Sequence, residues 1–317
     1  MQPFGPVPSR RLGQSLGINH IPPKFCTYSC VYCQLGRTKK MEAERRAFYP
    51  PEDIRESVME KIESAAKCGE PVDYLTFVPD GEPTLDINLG RVIERIRPTG
   101  KKIAVISNAS LLGDAAVRED LKKADWVSLK VDSVDEDIWR KINRPHFSLK
   151  PDAVLNGILM FAGEFQGTLV TETMLVRSLN DEESQINKVA GFLKKVAPET
   201  SYLSIPTRPP AEKWVMPPTE EVLVRAYHTL SSEVKHVELL IGYEGNAFAF
   251  TGHVDEDLLN ITAVHPMRKE AVNAFLKKAG SDWSAVDQLI ERGLLIRKTF
   301  DGNTFFARKL FNSENGE

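Results

Sequence analysis

The stretch Phe25-Cys26-Thr27-Tyr28-Ser29-Cys30-Val31-Tyr32-Cys33 carries three of the chain's four cysteines, spaced C-x3-C-x2-C. Four thiolates would complete the ligand set of a structural zinc ion or of a [4Fe–4S] cluster. Three thiolates leave one iron of such a cluster without a protein ligand, and that iron can bind a small molecule. The stretch therefore favours a cluster with an open coordination site.

Two other interpretations of the cysteines stay open. A zinc site would need a fourth ligand from Cys68 or a distant histidine, whereas structural zinc sites usually contain paired C-x2-C units. Unligated core cysteines would be expected in an apolar, periodic segment, and this loop is rich in polar and aromatic residues. Cys68 stands at the end of a predicted helix, before Gly69, and is interpreted as a small unreactive residue.

Composition bounds the class of protein. The 317 residues are 42% hydrophobic and 27% charged, with a formal net charge of −3. These values are ordinary for one large domain, or for one large and one small domain. The net charge argues against nucleic-acid binding over the whole surface. No apolar run approaches the roughly 18 residues that cross a bilayer, and no apolar leader stands at the N-terminus, so we expect a cytoplasmic protein.

Apolar segments typical of strands alternate with amphipathic segments typical of helices. The predicted strands are 16–21, 74–78, 103–107, 126–131, 168–175, 202–205 and 237–241. The predicted helices are 54–65, 89–96, 115–123, 136–142, 152–162, 182–196 and 220–233. This alternation predicts βα units and a parallel sheet, preceded by an extended, looped lead-in rich in glycine and proline. The cysteine loop then lies at the carboxyl end of the first strand, where barrel folds build their active sites.

A second motif follows the second predicted strand: Val78-Pro79-Asp80-Gly81-Glu82-Pro83-Thr84-Leu85. A glycine here lets the backbone approach a ligand, and exposed carbonyls accept hydrogen bonds from an ammonium group. Together with the cysteine spacing, this motif resembles the radical S-adenosylmethionine (SAM) enzymes, whose G-G-E-P motif has Asp80 in place of its first glycine here. The resemblance implies a partial (β/α)6 TIM-like barrel.

The resemblance to radical SAM enzymes also implies the cofactors. A [4Fe–4S] cluster would be held by Cys26, Cys30 and Cys33, and SAM would chelate the open iron through its amino and carboxylate groups. The reduced cluster would then break the sulfonium C–S bond and give a 5′-deoxyadenosyl radical. The electron implies a flavodoxin- or ferredoxin-like donor as a partner.

Further residues are implied as SAM contacts by their match to the family's motifs. They are Gly81, Glu82 and Pro83 for the methionyl amino group, Tyr32 and Ile205 near the adenine, Ser107 and Asn108 after the third strand, Ser128, Lys130 and Asp132 on the fourth, and Thr173 on the fifth. A lysine and an aspartate inside a barrel are costly unless they are paired or bind a ligand. The alternative is a solvated Lys–Asp pair at a strand end.

The C-terminal residues have a different character. Helices predicted at 267–279 and 285–292 precede two short strands around Asp301-Gly302-Asn303, a tight-turn signal. We predict a small winged-helix-like domain at 251–317 after a barrel at 1–250. Winged helices bind nucleic acid or protein, or pack against their own enzyme, and the mixed charge here leaves these open. We expect deletion beyond about residue 255 to spare uncoupled SAM cleavage and to impair substrate turnover.

The runs GEPTLD (81–86), SNAS (107–110) and INRP (142–145) look most like the wyosine-synthase-like branch of the superfamily. That branch uses further cysteines before the cluster loop, and this chain has only Cys68 to spare. We expect hydrogen abstraction from an RNA nucleoside or a small molecule, bound by Arg144, Arg177, Arg208 and Tyr243. One alternative is a protein-modifying activase that docks its partner through the winged helix, and another is a metal-binding DNA regulator.

Overall fold

The computed structural model describes residues 3–38, 40–242 and 245–309, and its main feature within these ranges is an eight-stranded sheet. The strands, in chain order, are β1 (Phe4–Ser9), β2 (Gly13–Ile18), β3 (Phe25–Cys26), β4 (Lys40–Met41), β5 (Tyr74–Phe77), β6 (Lys102–Ser107), β7 (Trp126–Lys130), β8 (Thr168–Met174), β9 (Thr200–Ser204), β10 (Val237–Leu240), β11 (Met267–Arg268), β12 (Leu295–Phe300) and β13 (Asn303–Arg308). The main sheet has the order β1-β2-β5-β6-β7-β8-β9-β10. β1 is antiparallel to β2, and all later neighbours are parallel.

Helices follow the parallel strands and cover one face of the sheet. They are α1 (Pro51–Lys67), α2 (Leu89–Ile96), α3 (Ala115–Leu121), α4 (Glu136–Asn143), α5 (Pro151–Glu164), α6 (Glu183–Val196) and α7 (Glu220–Glu233). Three further helices, α8 (Val254–Val264), α9 (Lys269–Lys278) and α10 (Trp283–Glu291), follow the main sheet in the chain and have a core of their own. The predicted α/β class and partial barrel are confirmed, because the sheet curls into a half-barrel with its helices outside.

The alternation of side chains along β7 separates two apolar layers. Val127 and Leu129 belong to the large core between the sheet and the helices. Trp126 points to the opposite, inner face, where it packs in a small cluster that includes Val170 and Tyr202. This inner cluster closes the base of the half-barrel.

The lead-in differs from the prediction of an extended loop. Residues 4–9 form β1, which pairs with β2, and β2 begins at Gly13, three residues before the predicted start. The turn between these strands brings Leu12 into the inner cluster at the base of the half-barrel. A strand rich in proline was missed because proline weakens the sequence signal for pairing, although edge strands tolerate it.

The C-terminal unit, defined as residues 254–309, has the order of elements expected for a winged helix. Its three-stranded sheet is ordered β11-β13-β12, and Asp301 and Gly302 form the predicted tight turn with positive φ angles of 47° and 70°. Two elements were not predicted: helix α8, and strand β11 at residues assigned to the first helix. The domain boundary at residue 250 stays a prediction.

The C-terminal unit shares its core with the first strand of the chain. Phe4 and Val7 of β1 are buried in one cluster with Met267, Phe275 and Phe306. Deletion of the unit would expose the apolar face of β1, and this argues against the expectation that such a deletion spares uncoupled SAM cleavage. Within the described ranges, no helix combines the length and apolar character needed to cross a bilayer.

We predict that Phe4→Ala lowers the free energy of unfolding by about 3–5 kcal/mol, the usual cost of removing a buried phenylalanine side chain. Phe4 is 3% exposed. The matched control is Phe147→Ala, because Phe147 is 81% exposed and its loss should cost under about 0.5 kcal/mol. Urea unfolding of the full chain measures both, and equal small losses would contradict the shared core.

Candidate active site

The three clustered cysteines line one cleft at the carboxyl edge of the main sheet. Cys26, Cys30 and Cys33 all border this cleft, whose volume is about 330 Å³. The loop that carries them leaves the carboxyl end of β2, and its short strand β3 pairs with β4. The predicted position of the loop is thus the observed one.

The end of α4 fixes the cysteine loop from one side. Pro145 cannot continue the helix, so the last helical carbonyls are left to other donors. The Ser29 N–H donates to the Asn143 carbonyl at 3.0 Å, and the Val31 N–H donates to the Ile142 carbonyl at 2.9 Å. These bonds hold the backbone on both sides of the second cysteine.

Gly81 fixes the loop from the other side. A Cβ atom at this position would lie 1.7 Å from the carbonyl oxygen of Phe25, and the Glu82 N–H donates to that same oxygen at 3.0 Å. Glycine was expected to let the backbone approach a ligand. The closest approach is instead to the main chain just before the first cysteine, so Gly81 first serves to seat the cluster loop.

The Glu82 carboxylate joins the loops that follow β5 and β6. Its Oε1 accepts hydrogen bonds from the Thr84 N–H at 3.1 Å, the Thr84 hydroxyl at 2.7 Å and the Ser107 hydroxyl at 2.7 Å. Its Oε2 accepts one from the Asn108 N–H at 2.8 Å. Burial raises the pKa of Glu82, although these donors lower it. Glu82 therefore acts in this structure as a buried acceptor.

Two of the cysteine sulfurs have side-chain amides beside them. Asn108 Nδ2 lies 3.6 Å from Cys26 Sγ, and Asn143 Nδ2 lies 3.5 Å from Cys30 Sγ. Burial raises the pKa of both thiols, that of Cys30 to about 12, and neighbouring carboxylates add to the effect. Iron would supply the positive charge that converts these half-buried thiols into thiolate ligands. The donor set therefore fits a cationic iron–sulfur core.

The zinc alternative would need Cys68 or a histidine. Cys68 is exposed at the C-terminal end of α1, near the amino ends of the strands and away from the cysteine loop. Among the described residues, no three His, Cys, Asp or Glu side chains converge closely enough to share one metal ion. A cubane binds its thiolates through separate irons, so it does not require that convergence.

A buried ion triad forms the floor of the cleft. Glu172 of β8 accepts from Lys130 Nζ at 2.8 Å and from Arg11 Nη1 at 2.7 Å, and the Ser204 hydroxyl donates to it at 3.0 Å. Burial alone would raise the pKa of Glu172, but the two cations hold it well below its usual range. Burial alone would lower the pKa of Lys130, but the negative charge of Glu172 outweighs burial, so the pKa of Lys130 is raised.

Asp132 lies outside the cleft, in a hydrogen-bond network behind the cysteine loop. Its carboxylate accepts from the Tyr32 hydroxyl, from Asn143 Nδ2 at 2.7 Å and from the Met174 N–H at 2.9 Å. The Tyr32 ring lies below Lys130 Nζ, 5.1 Å from its centroid. Asp132 is thus a support for Tyr32 and Asn143 rather than a group facing the cleft.

The sequence-predicted cofactor residues fall into two groups. Those that line the cleft together with the three cysteines are Tyr32, Gly81, Glu82, Ser107, Asn108, Lys130 and Ile205. Those outside its lining are Pro83, Ser128, Asp132 and Thr173. The Pro83 carbonyl faces His20, and the Thr173 hydroxyl donates to the Val131 carbonyl. Ser128 is buried on the inner face below Lys130, between it and Trp126.

Of the four predicted substrate residues, Arg208 lines the cleft and Tyr243 lies outside the described residues. Arg144 ends α4 and pairs with Glu212 at 2.5 Å, and Arg177 is exposed, so neither borders the cleft. Both follow elements whose carboxyl ends lie near the site, but the side chain of Arg144 is turned to Glu212 and that of Arg177 to solvent. Sequence position alone does not fix that direction.

Several residues of the cleft were not predicted. They are Glu172, Met174 and Ser204 at strand ends, Arg10 and Arg11 in the first turn, and Arg268 and Phe305 from the C-terminal unit. Glu172 could have been found from the sequence, because a charged residue inside a buried strand must be paired or bind a ligand. The adjacent Arg10 and Arg11 are compatible in sequence with an anion-binding pair but are more simply interpreted as a solvated basic pair, and the fold places both in the cleft.

Comparisons with known proteins agree with this geometry. The sequence profile of the radical SAM superfamily matches residues 20–188. A UPF0026 protein of Methanocaldococcus jannaschii is 48% identical over 309 residues, which cover 97% of this chain and 96% of that protein. A UPF0026 protein of Synechocystis sp. is 39% identical over 208 residues, which cover 65% of this chain and 76% of that protein.

Among solved structures, one of TYW1 with a lysine–pyruvate adduct bound has a similar fold. Its TM-score is 0.52 at 17% identity, over 71% of this chain and 76% of that chain. At this identity the likeness concerns the fold alone.

We predict that Gly81→Ala prevents the cysteine loop from seating, because the new methyl group meets backbone that cannot move aside. The iron content after anaerobic reconstitution should fall at least tenfold. Gly163→Ala is the control, since a Cβ there meets open space on helix α5 and alanine favours a helix by up to about 1 kcal/mol. Full iron loading of the Gly81 variant would refute this role.

We predict that Glu172→Gln lowers the free energy of unfolding by about 1–3 kcal/mol, because it leaves two partly buried cations without their anion. The exposed pair of Glu136 and Arg140 gives the control, and Glu136→Gln should cost under about 0.5 kcal/mol. Urea unfolding provides the measurement.

The loss of unfolding free energy in Glu172→Gln should depend on pH. Because the folded-state pKa of Glu172 is depressed, its stabilisation is complete above the ordinary pKa of glutamate, about 4.3. The difference between wild type and Glu172→Gln should shrink as the pH falls below that value. A difference that grows in acid would contradict the paired state.

Proposed function

The chain belongs to the radical SAM superfamily and, within it, to the UPF0026 family, and from this premise we propose that it abstracts hydrogen from a small molecule or RNA nucleoside held in the cleft. It is an enzyme whose cofactors are a [4Fe–4S] cluster and SAM. The observation that carries the proposal is that three cysteines, the DGEP loop and Lys130 border one cleft. When bound, the cofactors supply one-electron cleavage of SAM and a radical that removes hydrogen.

The residues of the cleft suit the two cofactors. Cys26, Cys30 and Cys33 would hold three irons, with the buried surroundings already described. The main chain at Gly81 and the side chain of Lys130 are positioned to bind the polar end of SAM. Ile205, half-buried after β9, offers an apolar surface for a base. The floor triad keeps Lys130 charged, which suits a carboxylate ligand.

The chemistry of the substrate is suggested by the side of the cleft facing the C-terminal unit. Arg268 and Phe305 of that unit line the cleft, as does Arg208, which lies 3.0 Å from His265, and Arg10 is a further arginine of the lining. Guanidinium groups bind phosphate and carboxylate groups in preference to neutral ones. The lining therefore supports an anionic small molecule or nucleotide as substrate.

The finer assignment to the wyosine-synthase-like branch rests on the sequence runs alone. The reaction of that branch would need ligands for a second cluster, and the exposed Cys68 is remote from the cysteine loop. We therefore propose a different reaction on a related core.

The two alternatives differ in the role given to the C-terminal unit. An activase would dock a protein through it, and a regulator would bind DNA with it. Arg268 and Phe305 of this unit line the cleft, which supports a role inside the active site instead. Co-purified RNA would favour the nucleoside substrate, and a co-purified protein would favour the activase. The electron donor is proposed to be a flavodoxin- or ferredoxin-type protein.

We predict that Cys30→Ala abolishes reductive SAM cleavage, because one of three thiolate ligands is lost. The matched control is Cys68→Ala, which removes an exposed cysteine and should cleave SAM at the wild-type rate. The measurement is 5′-deoxyadenosine formed with dithionite after anaerobic reconstitution with iron and sulfide. Retained product in the Cys30 variant, or reconstituted wild type that forms none, would reject the proposal.

A further inference from the structure

We propose that Asn143 and Asn108 are positioning residues that donate N–H groups to the Cys30 and Cys26 thiolates and thereby raise the reduction potential of the cluster. This inference rests on the proposed function, since it requires the cluster to be present. It assigns a task to two asparagines, of which Asn143 was not among the site residues predicted from the sequence.

The orientation of the Asn143 amide is determined by its neighbours. Asn143 is 2% exposed, and its Nδ2 lies 2.7 Å from Asp132 Oδ2. The reverse assignment would set the amide oxygen against a carboxylate oxygen, which is repulsive. One N–H therefore points to Asp132. The other is available to Cys30 Sγ, at 3.5 Å, with the Tyr32 oxygen nearby at 3.4 Å.

The Asn108 amide is oriented in the same way by different neighbours. Its Oδ1 accepts from the Ser110 N–H at 3.0 Å, and its Nδ2 lies 2.7 Å from Thr27 Oγ1 and 3.6 Å from Cys26 Sγ. Its main-chain N–H donates to Glu82, which fixes the residue at the end of β6. Two neighbouring βα units thus each contribute one amide to one sulfur.

The direction of the effect follows from charge. Reduction adds one electron to the cluster, taken from a one-electron donor, and changes no proton or covalent bond. The added negative charge spreads onto the cysteine sulfurs, so an N–H donor stabilises the reduced state more than the oxidised state. Asn143 also holds Asp132, whose negative charge near Cys30 acts in the opposite direction. Loss of either amide should therefore make reduction harder.

The test is an EPR-monitored redox titration of the reconstituted full chain without SAM, with dithionite as reductant. Asn143→Ala should lower the equilibrium constant for reduction at least tenfold, which is 59 mV for one electron. Asn108→Ala should shift this equilibrium constant in the same direction, and it provides the test if Asn143→Ala does not bind iron.

Asn180, in the loop that follows β8, offers a matched control. It is also 2% exposed, and its Nδ2 donates to the carbonyls of Asp132 and Met174 at 2.8 Å each, with neither sulfur among its hydrogen-bond partners in the described chain. Asn180→Ala should therefore destabilise the fold but leave the equilibrium constant for reduction within twofold of wild type.

Three results bear on the proposal in different ways. Iron-loaded Asn143 and Asn108 variants with the wild-type reduction potential would overturn it. An equal shift in Asn180→Ala would also overturn it, because the shift would then come from general destabilisation of the fold. A shift in the two sulfur-facing variants alone supports it. Wild-type protein that takes up iron but never cleaves SAM would reject the proposed function and leave the potentials measurable.

Discussion

The buried carboxylate of Glu82 is the interaction on which the site depends. Its four hydrogen bonds join the loop after β5 to the loop after β6, and its own N–H holds the carbonyl just before the first cysteine. Three successive strand ends are therefore locked to one another by a single residue. A parallel sheet brings such ends to one edge, but it does not by itself fix the loops that leave them.

The floor of the cleft contains charged side chains that are largely removed from water, and their burial is costly unless they are paired. Glu172 offsets this cost by pairing with both Arg11 and Lys130. Arg11 arrives from the first turn of the chain, and its guanidinium lies 5.8 Å and 5.6 Å from the ring centroids of Trp126 and Tyr202. The antiparallel β1 thus has a function in the site, since it delivers the cation that balances Glu172.

The C-terminal unit belongs to the same arrangement. It shares its apolar core with β1, and Gln34, the residue after Cys33, donates to its Val264 carbonyl at 2.8 Å. Gln34 also accepts from Arg208 at 2.9 Å. The cluster loop, the end of β9 and the C-terminal unit therefore meet at one side chain, which couples the substrate side of the cleft to the cysteines.

The sequence alone determined the cysteine motif, the βα alternation and most helix and strand positions, because hydrophobic periodicity and turn residues act over a few neighbouring positions. It also gave the radical SAM resemblance, and with it the cofactors. Only the tertiary structure decided that Lys130 faces the cleft while Asp132 supports Tyr32 behind it, and that Glu172 pairs with a residue 161 positions away. Such pairings depend on which side chains the curled sheet brings together. The free energy of burying a charged side chain is therefore set by its partners in the folded structure and not by the residues next to it in the sequence.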